Sequence, residues 1–183
     1  MRKIPTLYLR DENDRRYITR EVTPEAAWVL AGEGVATRKF DGTCTKLDEQ
    51  GRWWARREVK PGKLAPQNFF CEQIDTNTGK VVGWEPIEQS PFVKAWADAI
   101  AQESDLATVR PGTYELCGPK VNGNPEKFPV HELIRHGVVD LGEAPRDFDG
   151  LATYMRNGFP YEGIVWHHPD GRMAKIKRGD FPR

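Results

Sequence analysis

The sequence predicts an α+β fold with antiparallel sheets. Short segments rich in strand formers, bounded by Gly and Pro, outnumber the helical stretches. The clearest helical period is confined to Pro91–Gln102, and the chain closes on a hairpin pattern. In order, polar and apolar residues alternate around Thr6 to Ile18. A short helix follows, with Thr23 as cap, Pro24 in the first turn and Ala27, Trp28 and Leu30 behind it, ended by Gly32 and Gly34. Residues 35 to 59 read as strand, strand, turn, strand, with Thr43, Thr45 and Leu47 as strand formers, Gly51 in the turn and Trp53 to Val59 returning. Residues 61 to 90, punctuated by Pro61, Gly62, Pro66, Gly79, Gly83 and Pro86, read as one long ordered loop region.

In the helix Pro91–Gln102, Ser90 is placed to cap, and Phe92, Ala95, Trp96, Ala99 and Ile100 share one core-facing side. A strand near Thr113 to Cys117 follows, then a short helix near Phe148 to Arg156 stopped by Gly158. The final hairpin pairs Gly163–His167 with Met173–Lys177 through the turn Pro169-Asp170-Gly171.

The chain has 183 residues, which suits one domain or one domain with a small extension. Its 27 basic and 27 acidic residues cancel, so any grip on a phosphate backbone must come from a local patch. No apolar run approaches a membrane span, and no signal-peptide core follows the first residues. Cys44, Cys71 and Cys117 are odd in number and widely spaced, which points to a reducing cytoplasm. With no Cys-x-x-Cys, a structural zinc site is not expected. His167 and His168 are adjacent and read as ordinary surface or pocket residues, because neighbours on a strand face opposite ways.

Four stretches carry candidate chemistry. In Lys39-Phe40-Asp41-Gly42, a lysine amine freed of its proton is a nucleophile, and the glycine lets backbone approach a ligand. The same tetrapeptide also reads as a strand ending in an Asp-Gly turn. Glu115, within the apolar strand Tyr114-Glu115-Leu116, needs a partner, either a ribose hydroxyl or a structural Arg or Lys. Glu162-Gly163-Ile164-Val165 is the third stretch. In Lys175-Ile176-Lys177 both amines leave one face of a strand and repel unless an anion lies between them; the other reading is an edge strand guarded by lysines.

Taken in this order, KFDG, YELCG, EGIV and KIKR resemble motifs I, III, IV and V of the covalent nucleotidyltransferase superfamily of polynucleotide ligases and RNA capping enzymes. Within it the chain looks most like compact ATP-dependent RNA ligases. Trp54-Ala55-Arg56-Arg57 with Lys60-Pro61-Gly62-Lys63, Val81 to Pro86 and Leu116 to Pro125 are similar to segments of that group. Cys44 stands where DNA ligases usually carry arginine, which favours RNA over DNA. A capping-type or DNA ligase core, or a catalytically silent nucleotide- or RNA-binding module, are the alternatives.

The resemblance implies a nucleotidyltransferase (ATP-grasp-like) fold with antiparallel sheets around a nucleotide cleft; as a departure from DNA ligases and capping enzymes, no C-terminal oligonucleotide-binding domain is expected after Arg178. It implies a single domain over 1–183, with 1–34 as an N-terminal extension. ATP and magnesium (or manganese) are the implied cofactors, and RNA with 5′-phosphate and 3′-hydroxyl ends is the implied partner. Lys39 would be the adenylylated nucleophile. Lys175 and Lys177 would be catalytic and grip the α-phosphate, and Glu115 would hold the ribose. Asp41, Gly42, Arg56 and Arg57 would line the nucleotide, and Glu162 would bind metal. Lys60, Lys63, Lys120 and Lys127 read either as RNA-tracking or as solvated lysines. Trp53, Trp54, Trp84 and Trp166 read either as base-stacking or as core.

Overall fold

Antiparallel pairing dominates the computed structural model, which describes residues 1–76, 78–103 and 109–182. The chain divides into two units, one formed by Met1–Lys3 and Asp41–His136, the other by Ile4–Phe40 and Gly137–Arg183. The α+β class with antiparallel sheets and few helices agrees with the expectation.

The terminal unit holds β1 (Tyr8–Arg10), β2 (Ile18–Val22), α1 (Ala27–Leu30) and β3 (Val35–Lys39) from its first segment. Its second segment supplies α3 (Phe148–Arg156), β10 (Gly163–His167) and β11 (Met173–Lys177). Strands β1 and β2 pair with each other, and β11-β10-β3 form a three-stranded sheet. Period-2 alternation gives that sheet one mostly apolar face, on which Arg38 opposite Ile164 is the charged exception: Ala36, Ile164, Trp166, Ala174 and Ile176 are all buried in one cluster with Leu7, Val29, Leu151 and Met155. Trp166 is therefore core. Residues ahead of β1 also belong to this sheet. Leu7 donates its N–H to the Lys175 carbonyl and Lys175 donates to that of Pro5 (2.8 and 2.9 Å), so the outer edge of β11 is covered. The reading of Lys175 and Lys177 as guards of a bare edge loses its premise.

The central unit holds β4 (Thr43–Leu47), β5 (Trp53–Val59), β6 (Phe70–Ile74), β7 (Val81–Pro86), α2 (Val93–Gln102), β8 (Gly112–Cys117) and β9 (Glu132–Arg135). Its six strands run in the order β6-β7-β5-β4-β8-β9. Helix α2 lays Ala95, Ala99 and the partly buried Phe92 and Trp96 against Leu116, Val121 and Leu133. Trp53 packs on Trp96 and Tyr114, with ring centroids 6.0 and 5.3 Å apart, and Trp84 is almost wholly buried. Trp54 donates its indole N–H to Asp48 (2.9 Å).

Three expectations change. The region 61–90 is not one loop, because it contains β6 and β7. Its glycines punctuate strands: Gly79 (φ +66°) closes the β6–β7 hairpin, and a Cβ at Gly83 would lie 2.1 Å from the Phe70 carbonyl oxygen and 2.5 Å from the Phe69 ring. Strand β9 was not anticipated either. The helix starts are less tidy than expected. Thr23 makes no side-chain cap bond and leads into a 3₁₀ turn at Pro24–Ala26. Ser90 accepts from the Phe92 N–H (3.2 Å), while α2 itself begins at Val93. The chain beyond α1 turns through Gly32 and Gly34, both at positive φ.

Ile176→Ala removes a fully buried side chain between β10 and the apolar cluster. It should cost about 2–5 kcal/mol, read as a lower urea midpoint by circular dichroism.

Candidate functional site

One rung of the three-stranded sheet sets the first group of site residues. Gly163 on β10 pairs with Lys39 on one side and with Lys177 on the other. Residues directly opposite in an antiparallel ladder project to the same face, so both lysines leave the face opposite the apolar one. Lys175, two residues before Lys177, leaves it too. Gly163 has no alternative: a Cβ there would sit 2.1 Å from the Ile176 carbonyl oxygen and 2.9 Å from the Lys177 Cα.

Glu162, one residue ahead of β10, supplies the charge between the lysines. Its Oε2 accepts from Lys39 Nζ at 2.5 Å, and its Oε1 forms an ion pair with Lys177 Nζ. The carboxylate is 12% exposed and Lys39 is 19% exposed, so neither charge has much water to rely on. A pair this far from solvent persists only if each charge is matched, and removing one partner leaves the other uncompensated. Lys39 Nζ also donates to the Phe40 carbonyl (3.2 Å). The Glu162 carboxylate thus joins Lys177 to Lys39 across the sheet.

Backbone positions are held from behind. Buried Asp180 accepts the Lys177 N–H (2.8 Å) and the Arg10 guanidinium (2.7 Å). Arg178 donates its N–H to the Glu162 carbonyl (2.9 Å). The Arg38 guanidinium lies 4.0 Å from the centroids of both Phe40 and Tyr161, which flank Lys39 and Glu162 in sequence. Nothing in the sequence singled out Arg10, Arg38 or Asp180. Each has at least one partner far along the chain, Arg10 with Asp180 and Arg38 with Tyr161, and such contacts leave no mark in a local motif.

The second group lies in the central unit. Glu115 on β8 accepts the Gly42 N–H through Oε1 (3.1 Å) and meets His136 Nε2 through Oε2 (2.8 Å). Gly42 lies so close to β8 that a Cβ would be 2.2 Å from the Leu116 carbonyl oxygen and 2.8 Å from Cys117 Sγ. The loop after β8 clasps the same turn: Asn122 donates to the Gly42 carbonyl (2.6 Å) and Glu126 accepts the Asp41 N–H (2.8 Å). That loop holds Lys120, Asn122, Asn124 and Lys127 at positive φ, a conformation that non-glycine residues adopt only when their surroundings enforce it.

Arg56 pairs across β5–β7 with Trp84, and Cys44 pairs across β4–β8 with Glu115. The β4–β5 register, Thr45 opposite Ala55, puts Arg56, Cys44 and Glu115 on one face. Arg57 takes the other face. There it lies 3.8 Å from the buried Glu85, whose carboxyl is pushed up by burial and partly restored by that arginine. So the structure gathers Lys39, Lys175 and Lys177 on one sheet with Glu162 just ahead of its middle strand, and Glu115 and Arg56 on another with Gly42 just ahead of β4. It separates Arg57 from Arg56. Lys60 and Lys63 are exposed.

Among the described residues no group of three His, Cys, Asp or Glu side chains could hold a metal ion. Glu162 is one carboxylate. That donor set fits a magnesium ion whose other ligands are phosphate oxygens and water, the usual way magnesium is held with a nucleotide. No helix among the described residues is long and apolar enough to cross a membrane.

A family model described as RNA ligase 1 matches residues 99–181. The chain is 26% identical to RNA ligase 1 of Danio rerio, covering 96% of this chain and 79% of that protein. It is 28% identical to RNA ligase 1 of Rattus norvegicus, covering 79% of this chain and 66% of that protein. A third match, 26% identical, is RNA ligase 1 of Pongo abelii, covering 97% of this chain and 79% of that protein. The chain is thus similar to proteins named RNA ligase 1 over most of its length.

Gly163→Ala tests the rung directly. Forcing a methyl into a closed strand contact should cost about 1–3 kcal/mol and splay Lys39 from Lys177. A lowered melting temperature checks the first effect. For the second, the Lys39 and Lys177 amine resonances should shift in spectra of the ¹⁵N-lysine-labelled protein.

Proposed function

We propose that this chain, allied by those matches with the RNA ligases, is an ATP-dependent enzyme that seals RNA 5′-phosphate to 3′-hydroxyl ends through a lysyl-AMP intermediate. One observation carries the reading: the Glu162 carboxylate joins Lys39 of the first motif to Lys177 of the last. Residues far apart in sequence, chosen only by their motifs, meet at one carboxylate.

The proposed chemistry has three steps. Lys39 Nζ attacks the α-phosphorus of ATP; an N–P bond forms, the P–O bond to pyrophosphate breaks and the amine gives up its proton. An oxygen of the RNA 5′-phosphate then attacks the same phosphorus, and the N–P bond breaks to free Lys39. Finally the RNA 3′-hydroxyl attacks the 5′-phosphorus and AMP leaves. An ammonium donating to Glu162 has no lone pair to attack with, so Lys39 must lose a proton, and its bond to Glu162 must open, before the first step. Once it opens, Lys177 and Lys175 supply positive charge for the α-phosphate oxygens.

Glu162 would hold magnesium (or manganese), whose contribution is to neutralise phosphate charge. Glu115 would hold the ribose, and Asp41 and Gly42 would lie along the nucleotide. Arg56 would contact AMP or the incoming 5′-phosphate. Arg57 would take part only if its pairing with Glu85 gives way. The proposed module spans 1–183, works as a single nucleotidyltransferase domain of ATP-grasp-like kind, and acts in the cytoplasm.

Incubation with ATP and magnesium should add the mass of one AMP to the intact protein, and Lys39→Ala should abolish the gain. Glu162→Ala, which leaves two lysines unmatched, should cut it at least tenfold. Labelling by GTP instead would point to capping chemistry. Full adenylylation of the Lys39→Ala protein would refute the covalent role.

A further inference from the structure

Glu115 does not stand alone on its strand. Thr113 lies two residues before it, so both side chains leave the same face of β8. The β8–β9 register pairs Tyr114 with Arg135, which puts His136 opposite Thr113 and diagonal to Glu115. The His136 N–H donates to the Thr113 carbonyl (3.1 Å), which fixes the histidine backbone. Its ring spans two partners, with Nδ1 at 2.9 Å from Thr113 Oγ1 and Nε2 at 2.8 Å from Glu115 Oε2.

The chemistry of the three groups places a proton on Nε2. An ionised carboxylate only accepts, so Nε2–H must donate to it. In the neutral ring Nδ1 then accepts, and the Thr113 hydroxyl is its donor. The relay Thr113 to His136 to Glu115 holds one carboxylate oxygen while the Gly42 N–H holds the other. Each oxygen keeps a further lone pair. The carboxylate plane is thereby set, and the free lone pairs have a defined direction in which to meet a hydroxyl.

We infer that His136 is a positioning residue that aims Glu115 and so makes the site select a ribonucleotide over a deoxyribonucleotide. The inference rests on the ligase reading, in which Glu115 meets the ribose. A site built to bond a hydroxyl rejects the analogue lacking it, because its acceptor is then left unsatisfied. That rejection depends on the acceptor being held in place. With His136 gone, Glu115 can turn and find water, and the penalty for a missing hydroxyl falls.

The test is self-adenylylation of the full chain with ATP, 2′-deoxyATP and 3′-deoxyATP, comparing kcat/KM. The wild type should prefer ATP over one of the deoxy analogues by roughly a hundredfold. His136→Leu keeps bulk but offers no donor. It should raise the KM for ATP about tenfold, change the saturated rate much less and shrink the preference to a few-fold. His136→Gln, whose amide N–H can reach the position of Nε2, should recover most of the preference. Thr113→Val should weaken it in the same sense but to a smaller degree, and remains informative if the leucine variant does not fold. Unchanged preference in the leucine or valine variant, or a glutamine variant no better than leucine, overturns the inference and leaves the ligase reading standing. A wild type that takes up AMP yet ignores both ribose hydroxyls also overturns it, through the role of Glu115. A wild type that takes up no AMP overturns the ligase reading itself, and the inference with it.

Discussion

The carboxylate of Glu162, held between Lys39 and Lys177, is the interaction on which the rest of the proposed site depends. Two ammonium groups on one sheet face repel, and a desolvated carboxylate without partners is costlier still. Placing the three together resolves both problems, provided the strands bring them into one rung. The register supplies that condition: Gly163 stands between the two lysines, and its missing side chain lets β11 close against β10. The apolar face behind, with Ile164, Trp166 and Ile176 fully buried, resists a one-residue slip, because a slip would turn that face outward.

An ion pair of this kind adds little net stability. Under the proposed function, its value would lie in keeping the Lys39 amine, the Glu162 carboxylate and the Lys177 cation in fixed relation before a nucleotide arrives. Catalysis of phosphoryl transfer consists largely of such placement, which is what the proposed reaction would ask of a pre-set charge cluster. The same logic runs through the central unit, where Glu115 is held by Gly42 and His136 while the Gly42 turn is held by Asn122.

The boundary between the two units falls after Phe40, inside Lys39-Phe40-Asp41-Gly42. The motif therefore does two jobs. Lys39 ends a strand whose ladder partners lie over a hundred residues further along the chain. Gly42 begins the approach to β8, where only a residue without a side chain fits. A four-residue stretch that reads equally well as a nucleophile and as a turn ends one strand and opens the approach to another.

Local patterning was enough for much of the architecture. The closing hairpin, α3, the three strands of residues 35–59 and the helix that ends at Gln102 follow from periodicity and turn residues, which act over a few neighbours. The order of four motifs was enough to name candidate residues, since each motif is contiguous. Strands β6, β7 and β9 escaped because their glycines, prolines and short lengths mimic a loop until partner strands supply hydrogen bonds. Arg56 and Arg57, adjacent and alike in the sequence, are separated by the pleat, which sends one to the Glu115 face and the other to Glu85. Arg10 with Asp180, Arg38 with Tyr161 and His136 with Glu115 became visible through tertiary contacts. Chain chemistry and spacing thus determined which groups are present and which segments extend or coil. Only tertiary pairing decided which of those groups share a face, because register is a property of two strands and is written in neither one alone.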